Sequence, residues 1–337
     1  MKYKVASLFA GVGGICLGFK NAGANIIWAN EMDKWACETY KHNFNHPLIE
    51  SKIEDVDLNS IPNIDILTSG FPCTSFSIAG YKKGFEDEKS GHLFMETLKV
   101  IKTTQPQVIF LENVKNLLSH DNGNTFTVIK EALADAGYFF KYKVLNSMEY
   151  GNVPQNRERI YIIGFKDKKH CDMFKFPSPI RLTKTIHDII NPTIQKDSKF
   201  YYENSKYYPM LSAVMKNRNT TYQLRRVYVR ENKNNVSPTL TAHMGTGGHN
   251  VPLVIDNYGF RKLTPKECFM FQGFPANYKL PSSIANTHLY KQAGNSVTVP
   301  VVERIAKNIL AVLKKSSFNS SSNSNIIYFP LNHKRLL

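Results

Sequence analysis

An α/β protein built on a mostly parallel sheet is predicted by three observations on this 337-residue chain. Short β-rich runs alternate with helical patterns through the first 165 residues, which is how βαβ units read in sequence. A glycine-rich turn, Phe9-Ala10-Gly11-Val12-Gly13-Gly14, joins the first such run to the first helical pattern. After Phe165 the periodicity fades, which marks a second, loop-rich module. In order, Val5-Ala6-Ser7-Leu8-Phe9 gives a first strand over Lys4–Phe9, and further strands are predicted at Ile26–Asn30, Ile64–Thr68, Val108–Leu111, Phe140–Leu145 and Ile160–Phe165. Helices are predicted near Ile15–Asn21, Lys34–His42, Leu93–Thr103 and Phe126–Ala136, with Gly23 and Gly137 where two of them should stop. A helical pattern returns at Pro265–Phe271 and again, strongly apolar, around Val301–Leu313. The Ser/Asn-rich stretch from Ser316 onward reads as a low-complexity, mobile tail.

Composition narrows the partners. Lys and Arg number 43 against 27 acids, a net charge of +16, and so large an excess on an enzyme-sized chain favours a polyanion such as nucleic acid. Residues 171–260 carry 12 of those bases against 6 acids, so the loop-rich module shares the bias. No apolar run approaches a membrane span, and the first apolar stretch is too short and strand-like for a signal peptide. The five cysteines are scattered, odd in number and without a C-x-x-C pair, which argues against a disulfide framework or a zinc site and fits a reducing cytoplasm. No metal is expected.

Two constellations carry chemistry. Gly70-Phe71-Pro72-Cys73-Thr74-Ser75-Phe76-Ser77 follows the apolar run Ile64-Asp65-Ile66-Leu67, so Cys73 should stand just past the carboxyl end of a buried strand. Pro72 stiffens the turn, and a thiol held there is a candidate nucleophile, where the plain alternative is a small core residue. The second is the G-x-G-G turn with Glu31, 20 residues beyond Gly11 at the end of the second predicted strand. Glycines let a ligand approach the backbone, and an acid at that place can accept from two ribose hydroxyls. No lysine cluster accompanies the glycines, which disfavours a triphosphate and fits a nucleoside cofactor such as S-adenosylmethionine.

Seven blocks in order resemble the cytosine-C5 DNA methyltransferases of bacterial restriction–modification systems: Phe9–Gly14, Asn30-Glu31, Gly70–Ser77, Glu112-Asn113-Val114, Gln155-Asn156-Arg157-Glu158-Arg159, Arg261–Pro275 and Gln292–Pro300. The resemblance implies a class I S-adenosylmethionine-dependent methyltransferase fold, a Rossmann-like mixed sheet with helices on both faces, plus a small β-containing target-recognition domain. The catalytic domain would be discontinuous, residues 1–175 and 290–315, with recognition domain and hinge at 176–289 and the tail at 316–337. It implies Cys73 as nucleophile, Glu112 as the group that protonates or hydrogen-bonds N3, Arg159 orienting Glu112, and Arg157 against the cytosine O2 side or nearby phosphates. Strand-edge basic residues and a surface acid are the bland readings of the last three.

Cofactor contacts carried over from the family are Phe9, Gly11, Gly13, Glu31, Met32, Ile53, Pro72, Leu93, Asn295, Ser296 and Val297. Two departures stand out. Lys52-Ile53 occupies the place of an Asp-Ile pair whose Asp binds adenine, and Lys89-Ser90-Gly91 replaces an Arg before the lid glycine. The target base must be flipped out of the duplex, with Ser77 and the Gly80–Gly91 lid closing over it. Gln223, Arg225, Arg226 and Arg230 offer major-groove readers, while Thr239-Leu240 matches a family dipeptide beside the target base. Gly245-Thr246-Gly247-Gly248-His249 allows close backbone approach, and the stretch resembles readers of GGNCC or GGWCC sites. A monomer acting on double-stranded DNA in a bacterial cytoplasm, at the nucleoid and beside a partner endonuclease, is expected. A tRNA methyltransferase of the same family and a non-catalytic DNA-binding homologue are the alternatives.

Overall fold

The computed structural model describes residues 2–72, 92–246 and 251–322. Cys73, Ser77, the Gly80–Gly91 segment, Gly247-Gly248-His249 and the tail beyond Ser322 therefore lie outside the described residues. A seven-stranded sheet is formed by β1 (Lys4–Leu8), β2 (Asn25–Asn30), β3 (Leu48–Ile49), β4 (Ile66–Ser69), β5 (Val108–Val114), β6 (Phe139–Asn146) and β7 (Glu158–Phe165), in the order β3-β2-β1-β4-β5-β7-β6. The pairs from β3 to β5 are parallel. Strand β7 runs antiparallel to both β5 and β6, so the mostly parallel sheet expected from the βαβ alternation is mixed at one edge. That reversal has a use. It brings the first residues of β7 to the carboxyl end of β5, where Val114 pairs with Arg159 and Glu112 with Tyr161.

Helices cover both faces, and the inner strands are buried on both in consequence, whereas the edge strand β6 is partly exposed. Along β5, Val108 and Phe110 face one core with Phe19 of α1 (Gly14–Asn21), while Ile109 and Leu111 face the other. The latter core holds Phe94 and Leu98 of α3 (His92–Thr104) and Ile129 and Leu133 of α4 (Asn124–Asp135). Helix α2 (Lys34–Lys41) is capped by Asp33, whose carboxylate accepts from Trp35 N and Ala36 N. Short helices α5 (Ser147–Tyr150), α6 (Lys168–Met173) and α7 (Tyr208–Val214) follow, then α8 (Pro265–Phe271), α9 (Asn286–Asn295) and α10 (Val299–Ser322). The last returns to the large sheet, since Ile305 and Ile309 join the core of Phe19, and Asn21 Nδ2 donates to Glu303 at 3.3 Å. Helix α10 runs past the predicted end at Leu313 into the Ser/Asn-rich sequence, because extending a formed helix needs no new nucleus.

The loop-rich module carries more order than its sequence pattern shows. A four-stranded antiparallel sheet has the order β11-β10-β8-β9, from β8 (Tyr222–Leu224), β9 (Val229–Glu231), β10 (Leu253–Asp256) and β11 (Gly259–Lys262). It has its own apolar cluster around Leu211, Tyr222, Leu224 and Leu253. Arg261, fully buried, bridges it to α8: its guanidinium meets Asp256 at 2.6 Å and Glu267 at 2.8 Å. Glu267 also closes a capping box with Thr264 at the start of α8.

Candidate active site

A cleft of about 490 Å³ opens at the carboxyl ends of β1, β4 and β5, where open α/β sheets place ligands. The turn after β1 forms its floor. Gly11 and Gly13 have φ of 56° and 79°, the left-handed region that glycine enters without strain, and a Cβ on Gly11 would point into open space. Glu31, at the end of β2, holds this turn. Its carboxylate accepts from Gly11 N at 2.7 Å on Oε2, and from Met32 N and Asp33 N at 2.9 and 2.8 Å on Oε1. Burial raises its pKa and the three amides oppose that rise. Of the roughly four acceptor sites of a carboxylate, the one left is on Oε2.

At the other end of the cleft, Glu112 lies buried at the end of β5, and Arg159 Nε approaches its Oε1 at 3.2 Å. Burial pushes this carboxyl up, with Arg159 and then Arg157 pulling it down. Beside it, Asn113 Nδ2 donates to the Phe71 carbonyl at 2.9 Å, fixing the chain one residue before Pro72 and two before Cys73. The end of β4 is close as well, since a Cβ on Gly70 would sit 3.7 Å from Glu112 Oε2.

Arg157 is held by the main chain on its terminal side. It is 2% exposed, and its guanidinium turns to main-chain carbonyls: Nη1 donates to Leu240 O at 2.9 Å, Nη2 to Gly294 O at 3.2 Å and also to Ser296 O. Its two terminal nitrogens thus tie three main-chain carbonyls together, and Nε is left without a protein partner. Burial and the neighbouring Arg159 lower its pKa to about 9.

Phe9, Gly11, Glu31, Met32, Pro72, Leu93, Asn295, Ser296 and Val297 all line this cleft, as do Glu112, Arg157 and Arg159. Gly13 and Ile53 do not. Gly13 caps α1 with its Cα against the Phe44 ring, which a Cβ would overlap, and Ile53 is 3% exposed in the core that holds Trp28 and Phe94. Sequence reasoning missed the far wall. Trp35 stacks on His288 at 4.9 Å and Lys291 pairs with Asp33 at 2.7 Å, so α2 and α9 meet across the cleft. Contacts between residues more than 250 positions apart leave no local signal. Arg157 Nε, Gln292 Nε2 and Ser296 Oγ are buried without a hydrogen-bond partner, and all three residues line the cleft. Such groups suit a polar ligand that would satisfy them.

A second, polar cleft of about 610 Å³ is lined by Gln223, Arg225, Arg230 and Thr239, together with Asn156 and Lys233, which the sequence reading had not singled out. Gln223 and Arg230 pair across β8 and β9. Arg226 is exposed on the connecting turn, where Val227 is 82% and Tyr228 52% exposed. Among the described residues, Arg225, Arg226, Arg230 and Lys233 form no ion pair. Leu240, between Thr239 and Thr241, does not itself line this cleft. Its side chain is 1% exposed in the core, because Gln155 Oε1 takes its N–H at 3.0 Å and Arg157 its carbonyl, turning it inward. Among the described residues the four cysteines are free and buried, no group of three or more His, Cys, Asp or Glu could hold a metal ion, and no helix is long and apolar enough to cross a membrane.

Known proteins resemble this chain in sequence and in fold. A family model described as C-5 cytosine-specific DNA methylase matches residues 3–311. The chain is 60% identical over 309 residues to the Type II methyltransferase M.Bsp6I of Bacillus sp. (strain RFL6), covering 91% of this chain and 98% of that protein. It is 38% identical over 316 residues to the Type II methyltransferase M.HhaI of Haemophilus parahaemolyticus, covering 90% and 92%. Among solved structures, a mutant Spodoptera frugiperda DNMT2 superposes with a TM-score of 0.71 at 19% identity, covering 92% of this chain and 100% of that one. At that identity the likeness speaks to the fold.

Proposed function

Because the chain belongs to the C-5 cytosine-specific DNA methylase family, we propose that its two clefts together carry out methylation of a flipped-out cytosine in duplex DNA. It is an enzyme, a Type II cytosine-C5 DNA methyltransferase of the restriction–modification kind. The observation that carries the finer reading is the buried Glu112–Arg159 pair set beside the strand end that leads into Pro72 and Cys73.

Cytosine C5 is a poor nucleophile, and addition of a thiolate at C6 makes it an enamine whose C5 is nucleophilic. Cys73 is the proposed nucleophile. The electrons pushed toward N3 meet Glu112, whose burial-raised pKa favours the protonated form that N3 requires. Arg159 fixes the orientation of that carboxyl. Loss of the C5 proton to a base and departure of the Cys73 sulfur restore the ring. Gln223, Arg225, Arg226, Arg230 and Thr239 are proposed to meet the duplex, the arginines through phosphates or guanine edges.

The residues of the first cleft fit S-adenosylmethionine. Open room over Gly11, the spare acceptor of Glu31 and the unpartnered polar groups at Gln292 and Ser296 suit a nucleoside with a charged amino-acid tail. When bound, that cofactor supplies an electrophilic methyl group. Phe9, Gly11, Glu31, Met32, Pro72, Leu93, Asn295, Ser296 and Val297 would hold it. We assign catalysis to 1–175 and 290–315 and recognition to 176–289, in a monomer that works in the bacterial cytoplasm beside an endonuclease. Bisulfite sequencing of DNA from cells expressing the chain should show protected cytosines at one sequence, and none with Cys73→Ser. Methylation of tRNA but not of duplex DNA would overturn the proposal.

A further inference from the structure

Carbonyls from both clefts converge on one side chain. Leu240, which accepts from Arg157 Nη1, lies between Thr239 and Thr241, and both of these line the second cleft. Gly294 and Ser296, which accept from Nη2, line the first. The same two segments touch main chain to main chain, because a Cβ on Gly294 would overlap the Thr241 carbonyl group. Gln155 braces the junction from behind, accepting Leu240 N at 3.0 Å and donating to Phe271 O at 2.7 Å. Thr239 is held separately, its hydroxyl donating to Asn156 O at 2.7 Å.

A planar guanidinium fork cannot follow one carbonyl without straining its bonds to the others. Arg157 is 2% exposed, so a lost acceptor is not readily replaced and an unmet charged donor is costly. A ligand that orders Ser296, whose hydroxyl has no protein partner, therefore also orders Leu240 and its neighbours. We infer that Arg157 is a positioning residue that couples occupancy of the first cleft to the seating of the Thr239–Thr241 segment on DNA, so that each ligand raises the affinity for the other. The inference rests on the proposed function and deepens it. Linkage makes the coupling reciprocal.

The test uses the full chain with S-adenosylhomocysteine and unmethylated phage DNA fragments as probes. Binding of the first is read by quenching of Trp35, which lines the cleft. In the wild-type protein without DNA, hydrogen exchange across residues 237–244 should slow when S-adenosylhomocysteine binds. The DNA should then lower the Kd for S-adenosylhomocysteine by about fivefold or more, the usual lower range of such coupling. In Arg157→Lys that ratio, taken from the Kd values with and without DNA, should fall below about twofold. Exchange unchanged at 237–244 despite quenching overturns the inference and leaves the proposed function standing. So does Arg157→Lys with the wild-type ratio. Absence of quenching removes the proposed function and the inference with it. Should Arg157→Lys fail to fold, the exchange measurement on the wild-type chain decides alone.

Discussion

Replacing Glu31 by Gln probes the cofactor end of the site with almost no change of shape. The carboxylate accepts three main-chain N–H groups, one on Oε2 from Gly11 and two on Oε1 from Met32 and Asp33. An amide has a single acceptor oxygen. If that oxygen keeps Met32 and Asp33, the amide NH₂ faces the Gly11 N–H, donor against donor. Losing one charge-assisted bond and leaving its partner unmet costs about 2–3 kcal/mol. Against this, burial holds the carboxyl's pKa up, so removing the charge returns part of its desolvation cost. The net expectation is a loss of about 1–2 kcal/mol of stability, a fall in Tm of a few degrees for a chain of this size. The Gly11 turn loses its anchor as well, so affinity for S-adenosylhomocysteine should drop about tenfold or more, since each decade is about 1.4 kcal/mol. Trp35 quenching and calorimetry read the affinity, and thermal unfolding reads the stability. Binding within twofold of wild type in Glu31→Gln would refute the claim that this carboxylate shapes the cleft.

Glu112→Gln should lower the methyl-transfer rate by about 10²–10⁴-fold with cofactor binding retained, measured by incorporation of labelled methyl into unmethylated DNA; a loss under threefold removes Glu112 from the chemistry. Because its folded pKa lies above the ordinary 4.5, the folded state holds this proton more tightly than the unfolded one. Stability should thus fall as pH rises from 4.5 through the raised value, and that slope should vanish in Glu112→Gln. Arg261→Met strands Asp256 and Glu267 as buried carboxylates and should cost about 3–5 kcal/mol, read by thermal unfolding; a change below 1 kcal/mol would mean that the triad is solvated. Changing Arg225, Arg226 and Arg230 together to Gln should flatten the dependence of log K for DNA on log salt by up to about three units, and an unaltered slope would place the duplex elsewhere.

The large sheet was legible because its inner strands are buried on both faces and two of its helices stop at glycines, Gly23 at φ 100° and Gly137 at φ 83°. Predicted and observed ends of β1, β2 and β4 to β7 agree within two residues, apart from β5, which runs three residues further to carry Glu112. The two-residue β3 and the three-residue β8 and β9 were invisible, being too short to show a period. At the site, Phe9, Gly11, Glu31 and Glu112, read from local motifs, line the cleft and Gly13 does not, while Arg157 shows the limit of such reading. Its motif says that an arginine is needed, but its acceptors lie 83, 137 and 139 positions away, and only folding reveals that they are carbonyls. Leu240 turned inward for the same reason. Trp35 and His288 meet only because α9 returns to the large sheet.

The close passage of Thr241 over Gly294 also sets rules for building chimeras. Relatives of this fold invite exchange of the region between β7 and α8 as a cassette, and the natural place to cut is the sequence after β9. A cut before Pro238 leaves the host's own Thr239–Thr241 on the host's Gly294 and Arg157, and the joint is inherited intact. A cut after Ala242 imports a foreign main-chain path against a glycine with no room for adjustment. The first kind of hybrid should bind S-adenosylhomocysteine as its parent does, provided that the new β8 pairs with the host's β10 and completes the cluster around Leu253. The second must bring its own partner for α9, so Gly294 and the arginine that faces it travel with the cassette or the graft does not close.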